Sequence, residues 1–170
     1  TTYTFNFRNA VSDISERNIA KNVKLVFSTG DAIDSLSVKG KVLDLNTNKK
    51  VDNALVALFP YSDTLVVEKT KPLYFTKTDT TGNYQLENLA SGKYLALSFI
   101  DANNNLIVNT NKEPYSFVNQ GVIDLNKNIE NLNFSLSLQN LDTVKIVKTV
   151  TTAKSIAFEL NRGIRNVEIV

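Results

Sequence analysis

The sequence predicts an all-β protein built on an antiparallel β-sandwich, with partial β-units on either side of it. Two observations carry that prediction. Apolar residues recur at period two along most of the chain, which is the signature of strands with one wet face. Turn-forming clusters then punctuate these runs at spacings of about eight to twelve residues, as in sandwiches.

The elements follow in order. Tyr3, Phe5 and Phe7 alternate with Thr2, Thr4, Asn6 and Arg8, and Val23, Leu25 and Phe27 repeat the pattern. Between them, Ser12 to Lys21 lacks an apolar stripe and reads as a loop with one turn. Leu36, Val38 and Val42 alternate with Ser37, Lys39 and Lys41, interrupted by Gly40. Ala54 to Phe59 and Leu95 to Ile100 carry apolar residues on both faces, which predicts central strands covered on both sides. Leu132, Phe134, Leu136 and Leu138 alternate with polar residues, and so do Ile156, Phe158 and Leu160. Asp44 to Asn48, Asp79 to Asn83 and Ala90 to Gly92 supply turns. Breaks in register place a complete domain at residues 35–139, with flanks at 1–34 and 140–170 that are too short to bury a core alone.

Composition narrows the function. The chain has 170 residues and a net charge of +2, with no dense basic block, which argues against nucleic acid. It contains no His and no Cys, which excludes zinc and copper sites, Cys nucleophiles and His-based triads within it. A cysteine-free chain needs no disulfides, a state that suits bacterial export. No apolar run is long enough to span a bilayer as a helix. Lack of Met implies a processed chain or a piece of a longer one, so any membrane attachment would lie outside it.

From Ser35 onward the residues resemble the carboxypeptidase regulatory-like family, whose fold is a prealbumin-like sandwich. Gly40-Lys41-Val42 and Ala54-Leu55-Val56 match its first two strands. Thr78-Asp79-Thr80-Thr81-Gly82-Asn83-Tyr84-Gln85-Leu86, then Leu89, then Gly92-Lys93-Tyr94 match its most specific segment. The flank Thr1 to Phe7, with Asn9-Ala10-Val11 and Phe27-Ser28-Thr29-Gly30-Asp31, resembles the closing strands of a bacterial Ig-like domain. The tail Ala157 to Ile164 resembles the opening strand of another. Such domains precede regulatory-like sandwiches in outer-membrane-associated lipoproteins of Bacteroidota. The resemblance implies a cell-surface or periplasm-facing module that is structural or binding in role, not an enzyme.

Few residues present themselves as sites. Asp101, Asn103 and Asn105 have the spacing of the first oxygen ligands in a calcium loop, and Glu113 closes such a site if the loop folds back. Leu106 stands where such loops carry glycine, and the competing reading is an Asn-rich hairpin loop that satisfies its own backbone. No cofactor beyond weak calcium is expected. Tyr61 and Tyr115 each follow a proline and are candidates for an exposed stacking platform, whereas Tyr84 and Tyr94 are expected in the core. Asp63 and Glu68 are the conceivable acidic pair, with no second feature to mark a glycosidase site. Pilus-type relatives of this sandwich form a Lys–Asn crosslink, but Leu43 and Ser98 occupy the two key positions, so crosslinking is not expected.

The leading expectation is a module that spaces neighbouring domains and contacts a protein partner. A carbohydrate-binding module is the alternative. Val38, Val42, Val56, Tyr84, Leu86, Tyr94 and Leu97 are expected to form the sandwich core. The flanks are expected to cover their apolar faces by pairing with each other, with a second copy or within a larger assembly.

Overall fold

The computed structural model describes residues 2–8, 10–20, 23–138, 146–152 and 154–160. Among them there is no helix; every regular element is a strand. The chain divides into two units, Thr1–Gln139 and Asn140–Val170. Thr1, Asn9, Lys21 and the tail from Asn161, which entered the sequence reading, lie outside the described residues.

The first unit opens with β1 (Thr2–Arg8) and β2 (Val23–Ser28), which pair antiparallel as a sheet of their own. The connection between them contains a turn and a bridge from Ser12 to Ile19, in line with a loop. Then follow β3 (Leu36–Asp44), β4 (Leu55–Pro60), β5 (Tyr74–Lys77), β6 (Asn83–Leu89), β7 (Gly92–Phe99), β8 (Tyr115–Leu125) and β9 (Phe134–Leu136). They form a three-stranded sheet in the order β6-β3-β9 and a four-stranded sheet in the order β5-β4-β7-β8. β4 and β7 are the inner strands of the larger sheet, as their two-sided apolar runs require.

Two cores result. Val38 and Val42 of β3, Tyr84 and Leu86 of β6, and Phe134 and Leu136 of β9 pack with Val56, Leu58, Tyr94 and Ala96 of the larger sheet. This is the layer between the two sheets. Alternate residues of the larger sheet (Leu55, Ala57, Phe59, Leu97 and Phe99) point the other way, into a second cluster with Val108 and Tyr115. Leu65 and Val67, and Leu106 with Val108, come from the two long connections at 61–73 and 100–114 that cover that outer face. Leu97 is therefore fully buried, but in the outer cluster and not in the inter-sheet core where the sequence placed it. Its neighbours Ala96 and Ser98 take the opposite face by pleat geometry.

Among the described residues every pair of strands is antiparallel except one, beside which Val38 and Ile129 form a parallel bridge. β9 runs parallel to β3, with Val42 opposite Phe134, Leu43 opposite Ser135 and Asp44 opposite Leu136. This corrects the wholly antiparallel expectation. The chain leaves β8 in one sheet, crosses to the other, and enters it alongside β3 in the same direction. The regular strand is also shorter than the alternation from Leu132 to Leu138 suggested, covering three residues.

Two glycines show why their positions admit no side chain. A Cβ on Gly40 would lie 2.1 Å from the carbonyl oxygen of Leu132, where the chain crosses β3. Gly82 has φ +74°, in the left-handed region, and a Cβ there would come within 2.8 Å of the Val42 carbonyl. Asparagine takes the same conformation at Asn48, Asn53, Asn88, Asn104 and Asn131, which gives the Asn-rich composition a local structural cause.

In the second unit, β10 (Ile146–Thr151) and β11 (Ile156–Leu160) form a separate antiparallel hairpin. Ile146, Ile156 and Phe158 are exposed on it. The flanks thus each pair within themselves among the described residues.

Candidate functional site

The connection from Ile100 to Pro114 holds the two buried carboxylates of the described chain, Asp101 and Glu113, at 7% and 5% exposure. Its ends are joined by Ile100 N–H donating to the Pro114 carbonyl at 3.0 Å. Asp101 accepts from the backbone N–H of Asn105 through Oδ1 and of Leu106 through Oδ2, both at 3.1 Å. Asn103 Oδ1 also accepts from Asn105 N–H, and Asn105 Oδ1 from Ile107 N–H at 2.7 Å. Glu113 does fold back: Oε1 accepts from Ala102 N–H at 3.2 Å and Oε2 from Asn109 N–H at 2.8 Å. Asp101, Asn103, Asn105 and Glu113 are therefore brought into one loop, and their oxygens cap its backbone.

Leu106 has φ +63°. The backbone at the sixth loop position adopts the conformation for which calcium loops use glycine, although the residue is leucine. Its side chain packs against the outer cluster, which offsets the strain of that conformation. The described residues contain no group of three or more acidic, His or Cys side chains arranged to hold a metal. Any cation here would rely on the two carboxylates with amide and backbone oxygens.

The second covering connection is tied to the first. Thr110 Oγ1 donates to Glu68, and from β5 Lys77 Nζ also donates to Asn104 Oδ1 at 3.2 Å. Asp63 instead accepts from the Tyr61 hydroxyl at 3.2 Å. The conceivable acidic pair thus has separate partners, and both residues are surface groups.

The two tyrosines part company. Tyr61 is 48% exposed at the end of β4. Tyr115 is the first residue of β8, buried in the outer cluster with its ring edge-on to Phe117 at 5.8 Å, so it offers no face for stacking. The prolines before them gave no hint of this difference, because the burial of Tyr115 comes from the connections that cover the sheet.

The Asp79 turn is structural. Thr81 Oγ1 donates to the Asp79 carboxylate, and this bond, helped by the N–H groups of Asn83 and Thr81, holds the acid below the usual carboxylate range. Tyr84 donates from its hydroxyl to the Leu132 carbonyl at 2.6 Å, and burial pushes its ionisation far above that of a free phenol. Leu43 and Ser98 lie on different sheets, and Ser98 Oγ is buried with no partner among the described protein atoms.

The third surface feature is the β1–β2 hairpin. Thr2 is buried and accepts from Asp34 N–H at 2.8 Å, and Lys24 pairs with Glu87 of β6 at 2.7 Å. The opposite side presents Tyr3, Phe5, Phe7, Leu25 and Phe27 at 40–53% exposure. Phe27 stacks with Tyr3 at 5.4 Å and with Phe5 at 5.9 Å. The hairpin is held on one side by these two polar contacts, with Val26 half-buried beside them, and shows its aromatic side to solvent.

No family model matches the chain, and no curated protein matches it. Among solved structures, the crystal structure of a 9R-lipoxygenase from Cyanothece PCC8801 aligns at 13% identity with a TM-score of 0.29. That alignment covers 64% of this chain and 17% of the lipoxygenase, and it carries no argument about fold or activity.

Proposed function

We infer that the chain is a non-catalytic structural and binding module of a bacterial cell-surface protein, built on a carboxypeptidase regulatory-like sandwich between Ig-like segments. It spaces neighbouring domains and contacts a protein partner at the outer membrane. The observation that carries this reading is the five-residue aromatic and aliphatic face of the β1–β2 hairpin, exposed beside a sandwich whose own two cores are filled. Contiguous apolar faces of this kind mark protein contacts. The occupant is a neighbouring β-domain, whose sheet would continue the alternation that Tyr3, Phe5 and Phe7 begin. Two assays test this together. Affinity capture from the source envelope should retain protein partners with the native chain and lose them with Phe5→Lys and Phe27→Lys. A glycan array should stay blank. Glycan binding abolished by Tyr61→Ala would overturn the reading in favour of the carbohydrate-binding alternative.

A second role is favoured by the fold-back of Glu113 onto Ala102 and the left-handed Leu106: weak calcium binding by Asp101, Asn103, Asn105 and Glu113. Extracellular calcium modules bind at about 10⁻⁴–10⁻³ M. Calorimetry at millimolar calcium should show heat that Asp101→Ala removes. Absence of heat from the native chain leaves the loop as a self-capped turn.

A further inference from the structure

The parallel pairing of β3 with β9, extended by the parallel Val38–Ile129 bridge, has a mechanical consequence. β3 is the first strand of the sandwich and β9 the last, and the contact between them is longer than three residues. Ser37 N–H donates to Asn128 Oδ1 at 3.0 Å, and Ile129 N–H returns a bond to the Ser37 carbonyl at 2.9 Å. Lys39 exchanges two bonds, its N–H to the Ile129 carbonyl at 3.0 Å and its carbonyl from Leu132 N–H at 3.1 Å. Lys41 N–H donates to Asn133 Oδ1 at 2.9 Å. The parallel ladder then runs from Val42–Phe134 to Asp44–Leu136, and Leu45 N–H donates to the Leu136 carbonyl at 2.8 Å. Residues 128–136 thus lie along the whole of β3, with Asn128 and Asn133 lending side-chain oxygens where the backbone is out of reach. Val38, Val42, Phe134 and Leu136 lock the same seam from the inner core.

Because the two strands are parallel, the chain enters β3 at one end of the seam and leaves β9 at the other. Tension applied through the flanks pulls the strands past each other along their length. All the bonds of the seam then bear load at once, whereas tension on two neighbouring ends would peel them in turn. We propose that this sandwich is a force-bearing element, and that the β3/β9 seam is its clamp, loaded in shear by tension between residues 34 and 138. The proposal rests on the spacer reading above, since only a module tethered on both sides carries tension. It adds to that reading a resistance to unfolding under load, a property set by the forced-unfolding barrier and not by equilibrium stability.

Single-molecule pulling of the 170-residue chain tests the clamp. The absence of cysteine lets handles be placed at will. One form carries handles at its two termini, and the other carries S35C and K127C, two exposed positions at the same end of the seam. Terminal pulling should open the end hairpins first. It should then give one rupture that releases the sandwich, with a contour gain of about 300–350 Å. That rupture force should be several-fold higher than the one seen through S35C and K127C. The double variant N128A/N133A, altered only at exposed side chains, should lower the terminal rupture force by more than it lowers the peeling force. Equal forces in the two geometries would overturn the clamp, as would indifference of the terminal force to the Asn pair. Neither result touches the spacer reading, which the capture and glycan assays judge separately.

Discussion

The β1–β2 hairpin and the β4–β7 pair are written in similar letters and meet opposite fates. Both are antiparallel pairs with large apolar side chains in cross-strand register, Tyr3 opposite Phe27 in one and Phe59 opposite Leu95 in the other. Phe59 is fully buried and Phe27 is 41% exposed. The difference is what lies above. β4 and β7 have another sheet on one face and two covering connections on the other, whereas the aromatic face of the hairpin stays 40–53% exposed. Alternation makes a strand, and a second layer makes it stable.

The largest expected effect separates the two regions directly. Phe59→Ala or Phe134→Ala should cost about 3–5 kcal/mol, since each leaves a cavity among fixed neighbours. Phe5→Ala or Phe158→Ala should change stability by no more than about 0.5 kcal/mol, because both rings are more than half exposed. Urea unfolding of the four variants reads this contrast, and equal losses would break it. Gly40→Ala comes next, as its methyl would collide with the Leu132 carbonyl at the crossing. A loss of about 1–3 kcal/mol is expected by the same assay. Ser98→Ala should go the other way. Removing a buried hydroxyl that has no partner should leave stability unchanged or raise it by about 1 kcal/mol, measured as a shift in Tm.

The smallest effect is on pH dependence. Burial, with smaller contributions from Tyr74 and Asp34, pushes the Tyr94 phenol from 10.0 up to about 12. Its hydroxyl also donates to the Ala90 carbonyl at 3.0 Å. The folded state therefore keeps a proton that the unfolded chain loses first. Its stabilising contribution is complete below pH 10 and drains away as pH rises toward 12. Tyr94→Phe should flatten the alkaline limb of a stability–pH profile, and an unaltered limb would refute the assignment.

Much of this architecture was legible. The two-sided apolar runs marked β4 and β7 as inner strands, and Asp79 with Gly82 marked the turn into β6. The Asn-rich stretch from Asp101 to Asn105 read as a hairpin loop whose side chains bond their own backbone, and Asp101, Asn103 and Asn105 do accept from it. What stayed hidden depends on partners distant in sequence. Leu97 lies in a run that carries apolar residues on both faces, with Leu95 and Phe99 on its own face and Ala96 and Tyr94 on the other, so period two could not say which core it faces. Tyr115 looked like a loop residue because the connections that bury it carry no strand pattern. β9 gave no sign of its direction, since alternation is the same for parallel and antiparallel pairing. The left-handed Leu106 was equally unreadable, because leucine advertises no such conformation.

Native-state amide hydrogen exchange compares the two regions most directly, because it reads layer-dependent stability residue by residue. The amides of Leu58 and Leu97, and those of Lys39 and Leu132 in the seam, should exchange only through global unfolding. Those of β1–β2 and β10–β11 should exchange orders of magnitude faster in the isolated chain. Equal protection of the hairpins and the inner strands in a dilute monomer would contradict the account.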